Sequence, residues 1–280
     1  MLYSESKQKQ HIKMKTRSYL IYALCALLQS CNFVDAQVVW LSPKNMDFTD
    51  CDSEERHVER FESVSNSCPF DVIYEQSDER YVIVEGDEYY FDRIHTEVKR
   101  GVLEISVDPA RYRNVRLRVK VGSPEITHLT MSGSGSIQCT SDITTRDDMS
   151  IRILGSGDIM TRQISCGNLQ TSISGSGDLK VYGVDAADIT LSIAGSGDWG
   201  ATDIKAENMS ISIAGSGDVK ITSADIEHKL SANVAGSGDI KMNGQATNIE
   251  AKIIGTGDIS GRMTYKNISK SRIGSGDIDW

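Results

Sequence analysis

Residues 189–219 read ITLSIAGSGDWGATDIKAENMSISIAGSGDV, and the two Gly-Ser-Gly-Asp turns within them, starting at Gly195 and Gly215, stand 20 residues apart. Before each turn, apolar side chains alternate with short polar ones: Ile189, Leu191 and Ile193, then Met209, Ile211 and Ile213. After each turn the alternation resumes at Trp199 and Ala201, then at Val219 and Ile221. A period of two on both sides of a turn means half-buried strands; a helix would repeat its apolar positions every three or four residues. The motif continues in both directions, at Gly133 (as G-S-G-S), Gly155, Gly175, Gly236, Gly255 (as G-T-G-D) and Gly274, with successive gaps of 22, 20, 20, 20, 21, 19 and 19 residues. Self-similarity at so fixed a period is the signature of stacked repeats. The pattern predicts an all-β, right-handed parallel β-helix, a solenoid of about eight coils of about 20 residues spanning 131–280, with neighbouring coils hydrogen-bonded about 4.8 Å apart.

Outward from the repeats, residues 55–130 lack the turn but contain strand-like runs at Asp71–Tyr74, Tyr81–Val84, Val102–Ile105 and Val115–Val119. The open end of a solenoid presents unpaired backbone groups that something must cover. This segment is predicted to be an irregular N-terminal β cap, with 31–54 as a linker before it. Trp280, just beyond the eighth turn, is expected to lid the last coil.

The first 30 residues read as an export signal. Lys13, Lys15 and Arg17 precede the apolar run from Tyr19 to Leu28, which is too short to span a bilayer. Met14 is better placed than Met1 as a start. Two processing sites compete: Leu28-Gln29-Ser30-Cys31 resembles a lipobox, with Cys31 acylated, and Val34-Asp35-Ala36 resembles an ordinary cleavage site before Gln37. Cys31 directly follows the apolar run, which favours lipidation. A membrane contact is expected only through that anchor, and the location is the periplasm or the outer-membrane surface. The whole chain carries −9; residues 1–30 hold five cations and one acid, which leaves −13 for the remainder. So acidic a protein repels phosphate backbones, which argues against nucleic-acid binding.

Export permits disulfides. Cys51 and Cys68 sit in loop-like sequence, where a bridge between them is open, whereas Cys139 and Cys166 occupy small or inward repeat positions and read as space-filling.

The layout resembles the exported Bacteroidetes-type family known as "putative auto-transporter adhesin, head GIN domain". The resemblance rests on Phe61-Glu62-Ser63-Val64, Gly101-Val-Leu-Glu-Ile105, Ile126-Thr-His-Leu-Thr-Met-Ser-Gly-Ser-Gly135 and the repeated turns, and covers about residues 55–280. It implies a β-helical fold, an envelope location and an adhesive role, with no catalytic residues to carry over. The Cys51–Cys68 stretch falls outside the family pattern.

Stacking lines up Asp158, Asp178, Asp198, Asp218, Asp239, Asp258 and Asp277 on one edge. Like charges that close cost about 1 kcal/mol per pair in water and more when partly buried. Two readings offset this: each Asp caps its own turn, with Lys180, Lys220 and Lys241 as neutralising neighbours, or cations sit between coils. One carboxylate per coil is few for a calcium shell, so the structural reading is preferred and neither metal nor cofactor is called for. A second outward feature is a hydroxyl-lined sheet, Ser150, Thr190, Ser210 and Ser231 above Ser172, Ser192, Ser212 and Asn233; Tyr182 is the one aromatic on the outer side of the repeats. The five histidines are scattered without metal-ligand spacing. Catalysis needs differently tuned groups converging on one spot, and only Arg146, Asp147 and Asp148 in the longest coil break the repeat. The function expected is therefore a non-enzymatic envelope module for adhesion or ligand binding, to an envelope, host or glycan ligand. The alternative is a pectinase-like polysaccharide-cleaving enzyme.

Overall fold

The computed structural model describes residues 47–109, 112 and 115–280; the export signal, Cys31 and the junction before Gln37 lie outside the described residues. The strands in chain order are β1 (Asp52–Glu55), β2 (Ser63–Asn66), β3 (Asp71–Gln76), β4 (Tyr81–Gly86), β5 (Ile94–Lys99), β6 (Val102–Val107), β7 (Leu117–Ser123), β8 (His128–Met131), β9 (Ser136–Cys139) and β10 (Ile143–Thr144). They continue as β11 (Met149–Ile153), β12 (Asp158–Ser165), β13 (Asn168–Gly175), β14 (Leu179–Gly195), β15 (Trp199–Gly215), β16 (Val219–Gly236), β17 (Ile240–Gly255), β18 (Ile259–Ser260), β19 (Met263–Gly274) and β20 (Ile278–Asp279).

From β8 onward every coil-to-coil pairing is parallel, and between β14 and β15 equivalent residues stand 20 apart: Leu179 opposite Trp199, Ile193 opposite Ile213, Gly195 opposite Gly215. The protein is a β-solenoid of about eight turns. Within a coil the ladder breaks at Tyr182 and again at Ala187, so each coil has three straight sides. The inward rows are the alternating apolar residues of the sequence, and Ile193, Ile213, Val234 and Ile253 are all buried. Trp199, 1% exposed, is the largest side chain in this narrow core, and its coil compensates with Ala201 where other coils carry Val181 or Ile221. Uneven gaps are absorbed at the corners. The extra residue before Gly236 falls between the pairs Ala206/Ile226 and Asn208/Lys229, away from the apolar rows.

The glycines of the turn are dictated by stacking. Gly195 and Gly215 have φ of 146° and 148°, in the region that favours glycine. A Cβ on Gly215 would also lie 2.1 Å from the carbonyl oxygen of Gly195, and one on Gly217 would lie 2.1 Å from that of Gly197. Backbone thus packs directly on backbone along the turn edge, and the intervening amides bond across it, Ser216 N–H donating to the Gly195 carbonyl at 2.9 Å.

The N-terminal region is more regular than its sequence suggests. β2 and β3 form a coil that pairs in parallel with β8 and β9 on one side and with β6 and β7 on the other. The later segment β6–β7 therefore lies outside the earlier one, and the stack continues two coils beyond the first Gly-Ser-Gly turn. Only β1, β4 and β5 run antiparallel to their neighbours and close the end. Glu85 of β4 ties this closure down, accepting from Arg118 Nε at 2.6 Å and Lys120 Nζ at 2.7 Å. Buried Asn66 shapes the turn that stands in for Gly-Ser-Gly here, donating to the Phe70 and Ser136 carbonyls and accepting from the Cys68 amide.

The four described cysteines are free thiols, so Cys51 and Cys68 are not bridged. Burial pushes the Cys68 and Cys139 thiols up to about 12 and that of Cys166 up to about 11, which makes them packing groups and poor nucleophiles. Trp280 packs against the end of the core, and its carbonyl accepts from Tyr265 and Lys270.

Candidate functional site

The predicted aspartate ladder is present as a chain of hydrogen bonds, with one difference from the sequence expectation: each carboxylate caps the next coil, not its own turn. Asp198 N–H donates to Asp178 Oδ1 at 3.0 Å, Asp218 N–H to Asp198 Oδ1 at 2.9 Å, and Asp239 N–H to Asp218 Oδ1 at 2.8 Å. The series runs from Asp158 to Asp277 through Asp258. Each Asp carbonyl also accepts from the residue after the preceding coil's Asp, as Trp199 N–H does to Asp218 at 2.8 Å. The carboxylate sits on the neighbouring turn because the tight turn points its side chain along the rod while the neighbour's amide faces back.

At the N-terminal end Ser136 holds the ladder position and donates to Asp71 at 2.8 Å, so the row extends into the first coil. Arginines stand at both ends. Arg118 favours the charged form of Asp71, and Arg272 pairs with Asp277. Burial nevertheless holds the Asp71 carboxyl above the usual range. Asp198 is also raised, first by burial and then by Asp178 and Asp218, against the amide of Asp218 and the charge of Lys180. With one oxygen of each carboxylate from Asp158 to Asp258 committed to an amide of the next coil, the row is a set of rungs. Among the described residues, no three His, Cys, Asp or Glu side chains converge in a metal-holding group.

A second ladder escaped the sequence reading. Asn168 donates to Asp148, Asn208 to Asp188, and Asn267 to Asn248, each at 2.9 Å, at the corner opening the third side. Asp148, singled out as a break in the repeat, belongs to it. Its identity varies between Asp, Asn and Lys229, so no single letter recurs to reveal it.

The hydroxyl sheet is in register and outward: Thr190, Ser210 and Ser231 form one row, Ser172, Ser192, Ser212 and Asn233 the next. Gln170 and Arg152 interrupt it toward the N-terminus, and Glu250 and Lys252 toward the C-terminus.

At the corner between the second and third sides runs a groove of about 710 Å³. Its floor is the buried row Ala186, Ala206, Ile226 and Ala246, ending at Tyr265, and its walls include Asp185, Lys205 and Asp225 on one side and Glu207 and Glu227 on the other.

Aromatic groups gather on the cap, not on the repeats. Tyr89 and Tyr90 meet edge to face at 5.1 Å, Tyr90 and Tyr112 at 5.7 Å, and the Arg93 guanidinium lies 5.9 Å from both the Tyr89 and Tyr90 rings. Alongside, His95 Nε2 and Asp108 Oδ1 are 2.8 Å apart.

The same architecture occurs in solved structures. A protein of Parabacteroides distasonis described as a putative lipid binding protein is 28% identical, with a TM-score of 0.72 over 82% of this chain and 96% of that one. A putative adhesin of the same organism is 25% identical, with a TM-score of 0.74 over the same shares. One from Bacteroides fragilis shares 22% identity over 82% of this chain and 97% of that one, with a TM-score of 0.68, and so shows the fold alone. No curated protein matches the chain. Residues 60–246 match the family described as "Putative auto-transporter adhesin, head GIN domain", and the chain belongs to it.

Proposed function

We propose that the exported chain is a non-enzymatic module of the cell surface that binds an extended ligand, a glycan fitting best, along a rigid β-helical rod, with Cys31 as its lipid anchor. The observation that carries this reading is the continuous parallel register of the third side from β13 to β19, which sets outward side chains in straight rows several coils long. Such rows match a repeating partner better than a small substrate. The adhesin character of the family and of its structural relatives supports a non-enzymatic, adhesion-type role at the cell surface. Enclosing a lipid chain calls for an apolar cavity, whereas the interior here is filled by the buried apolar rows and the groove walls are charged. No helix among the described residues is long and apolar enough to cross a membrane.

The test is a screen of the mature protein against neutral and uronate-containing glycans and against whole bacterial and host cells, with binding and chain cleavage read together. Binding without turnover is expected. Cleavage of a uronate polymer would replace this reading with a pectinase-like enzyme, and binding to none of these surfaces would overturn it. Metabolic palmitate labelling that Cys31→Ser abolishes would support the anchor, and a mature N-terminus at Gln37 would contradict it.

A further inference from the structure

Three features of the corner groove point beyond packing. First, its floor is a row of short or buried side chains, Ala186, Ala206, Ile226 and Ala246 at 6%, 9%, 1% and 4% exposed, that leaves a hollow along the rod axis, and the row ends at Tyr265, which is 37% exposed. An exposed aromatic ring at the end of an axial hollow suits the C–H face of a sugar ring.

Second, the walls carry ionisable groups that the fold leaves unpaired. Lys205 stands in register between Asp185 and Asp225, yet neither these three nor Glu207, Glu227 and Lys266 form a salt bridge with a described residue. Only Asp225 is engaged, accepting from Gln245 Nε2 at 2.8 Å. The aspartate edge, by contrast, commits its carboxylates to amides rung by rung.

Third, the balance of signs selects the ligand. Four carboxylates against two ammonium groups repel a polyanion, and carboxylates flanking the hollow are acceptors suited to the paired hydroxyls of an uncharged sugar. Because wall and floor repeat once per coil, the matching ligand is a linear chain lying parallel to the rod.

We infer that this groove, from Ala186 to Tyr265, is the binding site for a linear neutral glycan. The inference rests on the ligand-binding reading above and says where on the rod it happens and to which polymer class.

The test uses the mature protein and short linear oligosaccharides of glucan, mannan, xylan and chitin type, with polygalacturonate oligomers and a lysine-rich peptide as charged comparators. Titration calorimetry reads binding, and thermal melting checks that each variant folds. All substitutions are exposed: Glu207→Gln with Glu227→Gln, Tyr265→Ala and the wall-blocking Ala187→Trp in the groove, and Ser192→Arg with Ser212→Arg on the hydroxyl sheet as control. At least one neutral oligosaccharide should bind, each groove variant should weaken it about tenfold or more, and the sheet control should leave it unchanged. Neutral glycan binding lost in the sheet control and kept in the groove variants would overturn the groove and leave the ligand-binding reading intact. So would preference for polygalacturonate or the peptide, or attachment to cells without affinity for any neutral oligosaccharide. Failure to bind both cells and glycans would overturn the two together.

Discussion

At the scale of single residues, the ladder aspartates carry both a bond and a penalty. Asp198 caps the amide of Asp218 but is held above the ordinary carboxylate value of 3.8 by burial and by its two like-charged neighbours. A carboxyl raised on folding contributes most below its unfolded pKa, and that contribution is lost as the pH rises through the folded value. Asp198 therefore contributes least at neutral pH. Asp198→Asn keeps an oxygen to accept the Asp218 amide and removes the repulsion, so at pH 7 its melting temperature should equal or exceed that of the native protein, with a gain of up to about 1 kcal/mol. The gain should shrink as the pH falls through the raised value of the native carboxyl and be lost once that carboxyl is protonated. Chelator should leave both melting curves in place; destabilisation by Asn at pH 7, or a calcium-dependent rise above about 5 °C, would favour bound cations. Thr171 offers an independent check of the core. It is fully buried, opposite Ile151 and Leu191, and its Oγ1 has no hydrogen-bond partner. Thr171→Val should stabilise by about 1–2 kcal/mol in chemical denaturation, and a loss would show that the hydroxyl finds a partner in solution.

At the scale of the coil, the turn separates positions that stacking fixes from positions it leaves free. Gly215 has a positive φ and no room for a Cβ, while Ser216 points into solvent. Gly215→Ala should cost about 3 kcal/mol or more, and Ser216→Ala no more than about 0.5 kcal/mol, in equilibrium unfolding. Equal costs would contradict backbone-on-backbone stacking. This contrast was legible in the sequence, because a Gly that cannot vary recurs at fixed spacing, as was the inward alternation of Ile, Val and Leu. What could not be read was which side chains bond from one coil to the next. The amide that a carboxylate caps depends on the offset of neighbouring turns, so Asp198 bonds the following coil. The corner ladder of Asn168, Asp188 and Asn208 mixes residue types and leaves no motif. The groove arises where Ala186 and Ala206, individually unremarkable, fall in line.

At the scale of the whole molecule, the same divide explains the cap. Strands β3, β4, β6 and β7 show in their composition, but nothing local tells Ser63 that it will lie between Val102 and His128, 39 and 65 positions further along. Long-range pairing among strands of similar character is set by the final packing, and the insertion of β2–β3 between β6–β7 and β8–β9 follows from that. Once the end is closed, the coils add in one direction, and the functional reading depends on that: rows of hydroxyls, the groove and the aspartate edge exist only if successive turns lie above one another. The most direct test is a pair of electron–electron distance measurements on spin labels at the turn serines, with the partly exposed Cys51 and Cys166 replaced by serine. Four coils separate Ser176→Cys from Thr256→Cys and seven separate Ser134→Cys from Ser275→Cys, so at about 4.8 Å per coil the distances should be about 19 Å and about 34 Å. A Ser134–Ser275 distance no longer than the Ser176–Thr256 distance would mean that the turns do not stack, and would contradict the parallel rod.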